Sequence, residues 1–138
     1  MNVTRELLNQ IIDISRQAGD AILEVYGREE GFATEQKSDS SPVTEADLAA
    51  HHIMHPALES IDSNVPVLSE ESELPHYSER SQWQTYWIID PLDGTKEFIK
   101  RNGEFTVNIA LIENGVPVLG VVFVPVLNIV YALSLIHI

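Results

Sequence analysis

The chain has 138 residues, of which 44% are hydrophobic and 21% charged, and its formal net charge is −13. This length and composition suit one globular domain with a modest core. The acidic charge argues against nucleic acid polymers and anionic membranes as partners, because both attract clustered Lys and Arg. The absence of cysteine excludes a disulfide framework and a thiolate metal site.

No apolar run of the sequence is long enough to span a membrane, and the N-terminus shows no basic-then-apolar leader. A cytoplasmic protein is therefore expected, with peripheral attachment to the cytoplasmic face of the inner membrane as the alternative. The oligomeric state is left open by the sequence.

The first predicted element is an amphipathic helix over residues 4–26. Thr4 is a suitable N-cap, apolar residues recur at helical spacing, and Gly27 ends the pattern. The helix is expected to be core scaffold. Residues 28–40 are polar and are predicted to form a loop that contains a short strand over residues 32–36.

The S-P-V-T segment at residues 41–44 is predicted to be a loop, and a second helix follows it. Thr44 is the expected N-cap of this helix, with Asp47 at the third helical position, where capping alone would explain an acid. His51 and His55 stand four residues apart and could in principle share a metal. Because no acidic third ligand accompanies them, we interpret them as surface or partly packed histidines.

Two predicted strands end in acidic residues. Residues 65–68 form a short strand followed by Glu70, and the aromatic and β-branched run at residues 86–89 reads as a buried strand that delivers Asp90. Pro91 is expected to stop the strand ladder. If the two strands are parallel, Glu70 lies beside Asp90. The alternative is that the acidic pair lies in a solvated loop.

The turn after the central strand combines carboxylates with a helix start. Asp90 and Asp93 can direct oxygens to a common point, Gly94 permits close approach of a ligand to the backbone, and Thr95 begins a short helix. Oxygen ligands suit Mg²⁺, and the free N–H groups at a helix start suit phosphate. The alternative interpretation is that the aspartates only cap the helix.

Residues 103–132 are β-rich, with alternating apolar residues and a hairpin turn at Glu113-Asn114-Gly115. The predicted fold class is therefore α+β, in which layered helices pack on a mainly antiparallel sheet. We assign residues 1–132 to one α+β domain. The last six residues, 133–138, are interpreted as a non-native tail.

Four segments together resemble the inositol-monophosphatase-like superfamily of magnesium-dependent phosphatases. The central one is D-P-L-D-G-T-K-E-F at residues 90–98, and the others are S-P-V-T-E-A-D (41–47), V-P-V-L-S-E-E (65–71) and G-E-F-T-V-N-I-A-L-I (103–112). The K-E-F ending is similar to the 3'(2'),5'-bisphosphate nucleotidase branch of the CysQ type. The resemblance covers about residues 5–132 and implies the N-terminal half of the family's sugar-phosphatase fold, because the family's chain is about twice as long.

The resemblance implies two or three Mg²⁺ ions as cofactor. The metal ligands it implies are Glu70, Asp90, the carbonyl of Leu92, and Asp93. A further Asp that would complete the second metal position would come from the family's C-terminal domain, which the resemblance implies is absent from these 138 residues. Lithium inhibition is expected as well, through occupation of a magnesium position.

The resemblance also implies roles in catalysis and substrate binding. Glu70 and Thr95 would act on the attacking water, with Asp47 orienting the Thr95 hydroxyl and Asp39 reaching the water or a further metal. The predicted substrate-binding residues are Glu70, Leu92, Asp93, Gly94 and Thr95, with the amides of Gly94 and Thr95 binding phosphoryl oxygens.

The function implied for the complete chain is hydrolysis of a small-molecule phosphate monoester. By the nucleotidase resemblance, the substrate would be 3'-phosphoadenosine 5'-phosphate, giving AMP and phosphate in sulfur assimilation. The first alternative is an inositol or sugar phosphatase of the same superfamily. The second alternative is an inactive truncated fragment that only binds cations or self-associates.

Overall fold

The computed structural model describes residues 1–28, 30–37 and 42–135, and it confirms the α+β class. None of the helices in these ranges combines the length and the apolarity of a membrane span. The elements in chain order are helix α1 (Arg5–Tyr26), strands β1 (Thr34–Gln36) and β2 (Pro42–Thr44), helix α2 (Glu45–Ile61), strand β3 (Val67–Ser69), helix α3 (Tyr77–Arg80), strand β4 (Thr85–Asp93), helix α4 (Thr95–Ile99), and strands β5 (Thr106–Glu113), β6 (Val116–Val124) and β7 (Ile129–Ser134).

The main sheet has five strands in the order β3-β4-β5-β6-β7. The β3-β4 pair is parallel and the other pairs are antiparallel, which confirms the mainly antiparallel sheet. A second, small sheet pairs β1 with β2. The loop predicted at residues 41–44 is therefore wrong for Pro42–Thr44. This segment is extended because Thr44 takes the extended backbone of an N-cap, and Pro42 is tolerated at the first residue of a strand.

Strand β4 differs from the prediction in two respects. Trp87 and Ile89 are buried, whereas Ile88 is 39% exposed, because helices cover only one face of the sheet. The ladder with β5 also shifts register between Asp90 and Asp93, so Pro91 lies in an irregularity and does not end the strand. A bulge can accommodate a residue without an N–H donor.

Helices α1 and α2 pack against each other and against one face of the sheet. Thr4 caps α1 as predicted, because its Oγ1 accepts the Leu7 N–H at 3.1 Å, and Gly27 follows the last helical residue. Full burial of one large apolar side chain stabilises the folded state by about 1.5–3 kcal/mol. The largest fully buried side chains are Trp87, Phe98, Phe105, Ile11, Ile22, Met54, Leu58, Ile89, Leu111, Leu119, Val107 and Val121.

The opposite face of the sheet is uncovered by the described residues. Along one row the cross-strand pairs join Asp90, Asn108, Val122 and Tyr131, so these side chains share that face. Val122 is 37% and Tyr131 62% exposed. We call this surface the open face; it combines apolar residues with the Asp90 carboxylate.

Strand β7 continues past the predicted domain boundary at residue 132. Leu133 pairs with Gly120 and Ser134 pairs with Leu119. The segment interpreted as a tail therefore overlaps the end of a strand, and its origin stays a prediction. Residues 136–138 lie outside the described ranges.

Gly19→Ala is expected to destabilise the fold, although alanine favours helices. A methyl group on Gly19 would overlap the buried ring of Phe123, so α1 would have to move away from β6. Overpacking of this kind costs about 1–3 kcal/mol, against about 1 kcal/mol gained in helix propensity. The measurement is the urea unfolding midpoint, with Gly27→Ala as control because its methyl would meet only Leu23 O, at 3.4 Å. A Gly19→Ala midpoint at or above that of the unaltered chain would contradict this packing.

Candidate active site

The parallel pairing of β3 with β4 brings two acidic strand ends to the same edge of the sheet. Ser69 pairs with Ile89, and the Glu70 N–H donates to the Ile89 carbonyl at 3.3 Å. Glu70 and Asp90 therefore each follow one member of this pair, on neighbouring strands. The expectation that these two residues lie side by side is confirmed.

A cavity of about 400 Å³ lies at this edge and gathers most of the predicted site. Every predicted metal ligand and both predicted phosphate-binding amides border it. Asp47 lies behind its wall, and Asp39 lies outside the described residues. The lining residues are Lys37, Pro42, Glu70, Glu71, Asp90, Leu92, Asp93, Gly94, Thr95, Lys96 and Glu97.

The electrostatics of this cavity favour a bound cation. Burial, and then the charges of Asp93, Glu70 and Glu71, raise the pKa of Asp90 to about 6. Among the residues that the structure describes, Lys37 is the one whose charge lowers the pKa of the Asp90 carboxyl. A metal ion among these groups would relieve the repulsion that keeps Asp90 from ionising at its ordinary pKa.

The donor set of the cavity fits Mg²⁺ in its chemistry. It consists of carboxylate and carbonyl oxygens, which are the ligands of hard cations, and it leaves one side open for waters and substrate. Within residues 1–28, 30–37 and 42–135, however, no three His, Cys, Asp or Glu side chains already converge as a metal site. The carboxylates line the cavity, and side-chain movements would have to bring them onto one ion.

Asp47 takes part both in the N-cap of α2 and in the candidate site. The side chain is fully buried, and its Oδ2 accepts the Thr44 N–H at 2.8 Å and the Thr44 hydroxyl at 2.6 Å. Its Oδ1 accepts the Thr95 hydroxyl at 2.8 Å. Because the single proton of the Thr95 hydroxyl is donated to Asp47, the lone pairs of that oxygen are available to accept a hydrogen bond from a water in the cavity.

The sequence did not reveal Asn108 as a member of the site. Its Nδ2 donates to Asp93 Oδ2 at 3.3 Å, and its Oδ1 lies 3.2 Å from the donating Thr106 hydroxyl. Asn108 pairs with Asp90 across the ladder, so its side chain stands on the open face beside the carboxylates. The available signal was a polar residue in the alternating pattern of β5, but that pattern does not identify the cross-strand partner.

The polar segments around Lys37 and Glu71 suggest solvated loop residues, but these two side chains contact each other. Lys37 Nζ lies 3.0 Å from Glu71 Oε1, and the Glu71 side chain is only 3% exposed. Burial raises the pKa of Glu71, and the hydrogen bond from Lys37 opposes that shift. Lys37 Nζ also lies 4.0 Å from Glu70 Oε2, so this lysine contacts both acidic residues that follow β3.

The raised pKa of Asp90 predicts a pH dependence of stability. In the metal-free chain, the folded state binds more protons than the unfolded state between an Asp pKa of about 4 and the folded value of about 6. The free energy of unfolding should therefore fall as pH rises through that window. Urea unfolding at pH 4.5 and pH 7 would measure this fall, and Mg²⁺ or Asp90→Asn should reduce it. An equal pH dependence in Asp90→Asn would contradict the assignment to Asp90.

Comparison with known proteins adds family information to this geometry. The model of the inositol monophosphatase family matches residues 4–135. The curated 3'(2'),5'-bisphosphate nucleotidase CysQ of Escherichia coli K12 is 54% identical over 126 residues, which are 91% of this chain and 51% of that protein. The chain thus spans about half the length of the curated relatives it matches.

Solved structures show the same fold. The structure of CysQ from Bacteroides thetaiotaomicron, described as a bacterial member of the inositol monophosphatase family, is 45% identical, with a TM-score of 0.78, and the match covers 94% of this chain and 46% of that chain. The extragenic suppressor protein suhB from Bartonella henselae is 28% identical, with a TM-score of 0.82, over 94% of this chain and 49% of that chain.

Proposed function

This chain belongs to the inositol monophosphatase family, and we propose that it supplies the metal-binding half of a 3'(2'),5'-bisphosphate nucleotidase. The proposed reaction removes the 3'-phosphate of 3'-phosphoadenosine 5'-phosphate and gives AMP and phosphate. The observation that carries the proposal is one cavity in which carboxylates from two parallel strand ends face the Gly94-Thr95 turn. The proposed setting is sulfur assimilation in the cytoplasm.

The nucleotidase assignment, as opposed to another phosphatase of the family, is supported by the curated relatives. The Escherichia coli and Salmonella typhimurium proteins that are 54% and 55% identical to this chain are both named for this activity. Lys96 and Glu97, which end the motif that resembles this branch, lie on the cavity wall. There they are positioned to contact the part of a substrate that projects beyond the phosphate.

Mg²⁺ is the proposed cofactor, with two or three ions in the complete site. Glu70, Asp90, Asp93 and the carbonyl of Leu92 would hold it. When bound, Mg²⁺ supplies Lewis-acid stabilisation of the phosphoryl oxygens and makes a nearby water more acidic. The chain's contribution is to hold several carboxylates around one cavity with few competing cations.

The chain's own groups then orient the water and the phosphate. The Thr95 hydroxyl would accept a proton from the attacking water while its own proton passes to Asp47 Oδ1, and this contact would direct the water's lone pair to phosphorus. Glu70, whose side chain is 65% exposed, can share this task from the other strand end. The amides of Gly94 and Thr95 would donate to the phosphoryl oxygens as charge develops.

The test uses residues 1–132 joined to the C-terminal half of the Escherichia coli relative. We expect Mg²⁺-dependent phosphate release from 3'-phosphoadenosine 5'-phosphate to exceed release from inositol 1-phosphate by at least about 10²-fold in kcat/KM, since a missing contact to a polar substrate group costs several kcal/mol. A preference for inositol 1-phosphate would instead support the inositol phosphatase alternative. Lack of activity toward both, in a folded protein, would contradict a phosphatase.

The open face supports the second alternative for the 138-residue chain by itself, namely self-association. The apolar side chains on this face include Val122 and Tyr131, and β7 is an edge strand among the described elements. We expect the isolated chain to elute above monomer size in gel filtration. Val122→Lys with Tyr131→Lys should shift it towards monomer, whereas Leu48→Lys on α2 should not. Equal elution of both variants would contradict association through this face.

A further inference from the structure

The turn that carries Glu70 is held by a buried hydroxyl. Ser69 is the last residue of β3 and is 2% exposed. Its Oγ accepts the Glu71 N–H at 3.2 Å, and its carbonyl accepts the Ser72 N–H at 3.3 Å. These bonds fix how the chain leaves the strand, and Glu70 lies between the two residues that the hydroxyl connects.

A histidine of α2 contacts the same hydroxyl. His51 Nδ1 lies 2.9 Å from Ser69 Oγ. The Glu71 N–H can only donate to this oxygen, so the hydroxyl proton is available for the His51 ring nitrogen. Burial, and then the neighbouring His55 and His52, lower the pKa of His51, which favours the neutral ring. A nitrogen of the neutral ring can accept the hydrogen bond that the Ser69 hydroxyl donates.

The far end of the turn is held as well. The Glu71 side chain forms a 3.0 Å ion pair with Lys37 and is almost fully buried, whereas Glu70 Oε2 lies 4.0 Å from the same Lys37 Nζ and the Glu70 side chain remains 65% exposed at the cavity. The turn is thus fixed through Ser69 on one side and through Lys37 on the other. Glu70 is the carboxylate of the pair that stays available to a ligand.

We propose that His51 is a positioning residue of the metal centre, which acts through the Ser69 hydroxyl to hold Glu70 toward the cavity. This inference rests on the proposed function, because it requires that Glu70 bind the metal. Groups that orient a metal ligand without touching the metal commonly change metal affinity by about 10–100-fold when they are removed. His51 accordingly links the α2 scaffold to the acidic end of β3.

The test measures Mn²⁺ binding to the 138-residue chain by electron paramagnetic resonance titration, since Mn²⁺ takes the same oxygen ligands as Mg²⁺. His51→Phe and Ser69→Ala should each weaken binding by about 10-fold or more. His51→Asn places a polar atom near the position of Nδ1 and should retain affinity within about threefold, a smaller loss than in His51→Phe. His52→Gln, at an exposed neighbouring position, should leave binding unchanged. Circular dichroism and thermal unfolding of each variant check that the fold is retained.

Each outcome bears on a different step. Weakened binding in His51→Phe and Ser69→Ala, no greater in the double variant and restored in His51→Asn, supports the proposal. Normal binding in His51→Phe, or equal losses in His51→Asn and His51→Phe, overturns the role of His51 while the metal centre stands. Failure of the unaltered chain to bind Mn²⁺ overturns this inference together with the metal centre.

If His51→Phe does not fold, Ser69→Thr replaces it in the comparison. Loss of binding in Ser69→Ala but not in Ser69→Thr supports the hydroxyl link, and equal binding in these two variants overturns it.

Discussion

Asp93→Asn should remove almost all turnover from residues 1–132 joined to the Escherichia coli C-terminal half, with the fold intact. The substitution removes one negative charge from the cavity while keeping the size of the side chain. The oxygen of the new amide can still accept the hydrogen bond that Asn108 donates to Asp93. Loss of a proposed metal ligand removes several kcal/mol of transition-state stabilisation, so kcat/KM for 3'-phosphoadenosine 5'-phosphate should fall about 10³-fold.

The control for this prediction is Asp20→Asn on the exposed side of α1, which changes the net charge equally. It should leave both turnover and Mg²⁺ dependence unchanged. Mn²⁺ affinity of the Asp93→Asn variant should fall along with activity, because both depend on the same carboxylate. More than about a tenth of the original turnover in a folded Asp93→Asn protein would be inconsistent with the several kcal/mol expected from a metal ligand.

The elements that sequence predicted well are those set by local chemistry. The bounds of α1 follow from Thr4 and Gly27, and the N-terminus of α2 follows from the reciprocal bonds between Thr44 and Asp47. The hairpin of β5 and β6 follows from Asn114-Gly115, both of which have positive φ. These features depend on neighbours in sequence, so one sequence suffices to specify them.

The features that sequence missed depend on partners distant along the chain. Ile88 has the apolar character of a buried residue, yet its exposure depends on which face α1 and α2 cover. Lys37 contacts Glu71, 34 residues away, and His51 contacts Ser69, 18 residues away. Tertiary pairings of this kind leave no periodicity in the sequence.

The positions of the acidic residues at the candidate site were predicted more completely than the residues that orient them. Glu70, Asp90 and Asp93 border one cavity because parallel strand ends meet at one edge, a geometric rule that sequence could apply. The groups that orient these carboxylates, including Asn108, come from other elements. Predictions from sequence therefore brought these carboxylates to one edge of the sheet, their role as ligands stays a prediction, and the structure added the groups that contact them.

The turn between β4 and α4 depends on a glycine for two separate reasons. Gly94 has φ of +91°, which side chains with a Cβ rarely adopt, and an added Cβ would lie 2.8 Å from the Glu104 carbonyl oxygen. Gly115 has a similar φ of +77° but open space around it. A comparison of the two positions thus separates two effects of an added Cβ. Backbone strain is expected at both glycines, whereas a steric clash is expected at Gly94 and not at Gly115.

Gly94→Ala should therefore lower stability and activity together. Left-handed strain alone costs about 1–2 kcal/mol, which is the loss expected for Gly115→Ala in urea unfolding. In Gly94→Ala the clash adds to this loss and shifts the backbone that carries Asp93 and Thr95, so kcat/KM of the chimeric enzyme should fall about 10²-fold even where the protein is folded. Gly115→Ala should keep its turnover. Equal stability losses and equal turnover in the two variants would show that the close approach of Gly94 to Glu104 has no part in shaping the site.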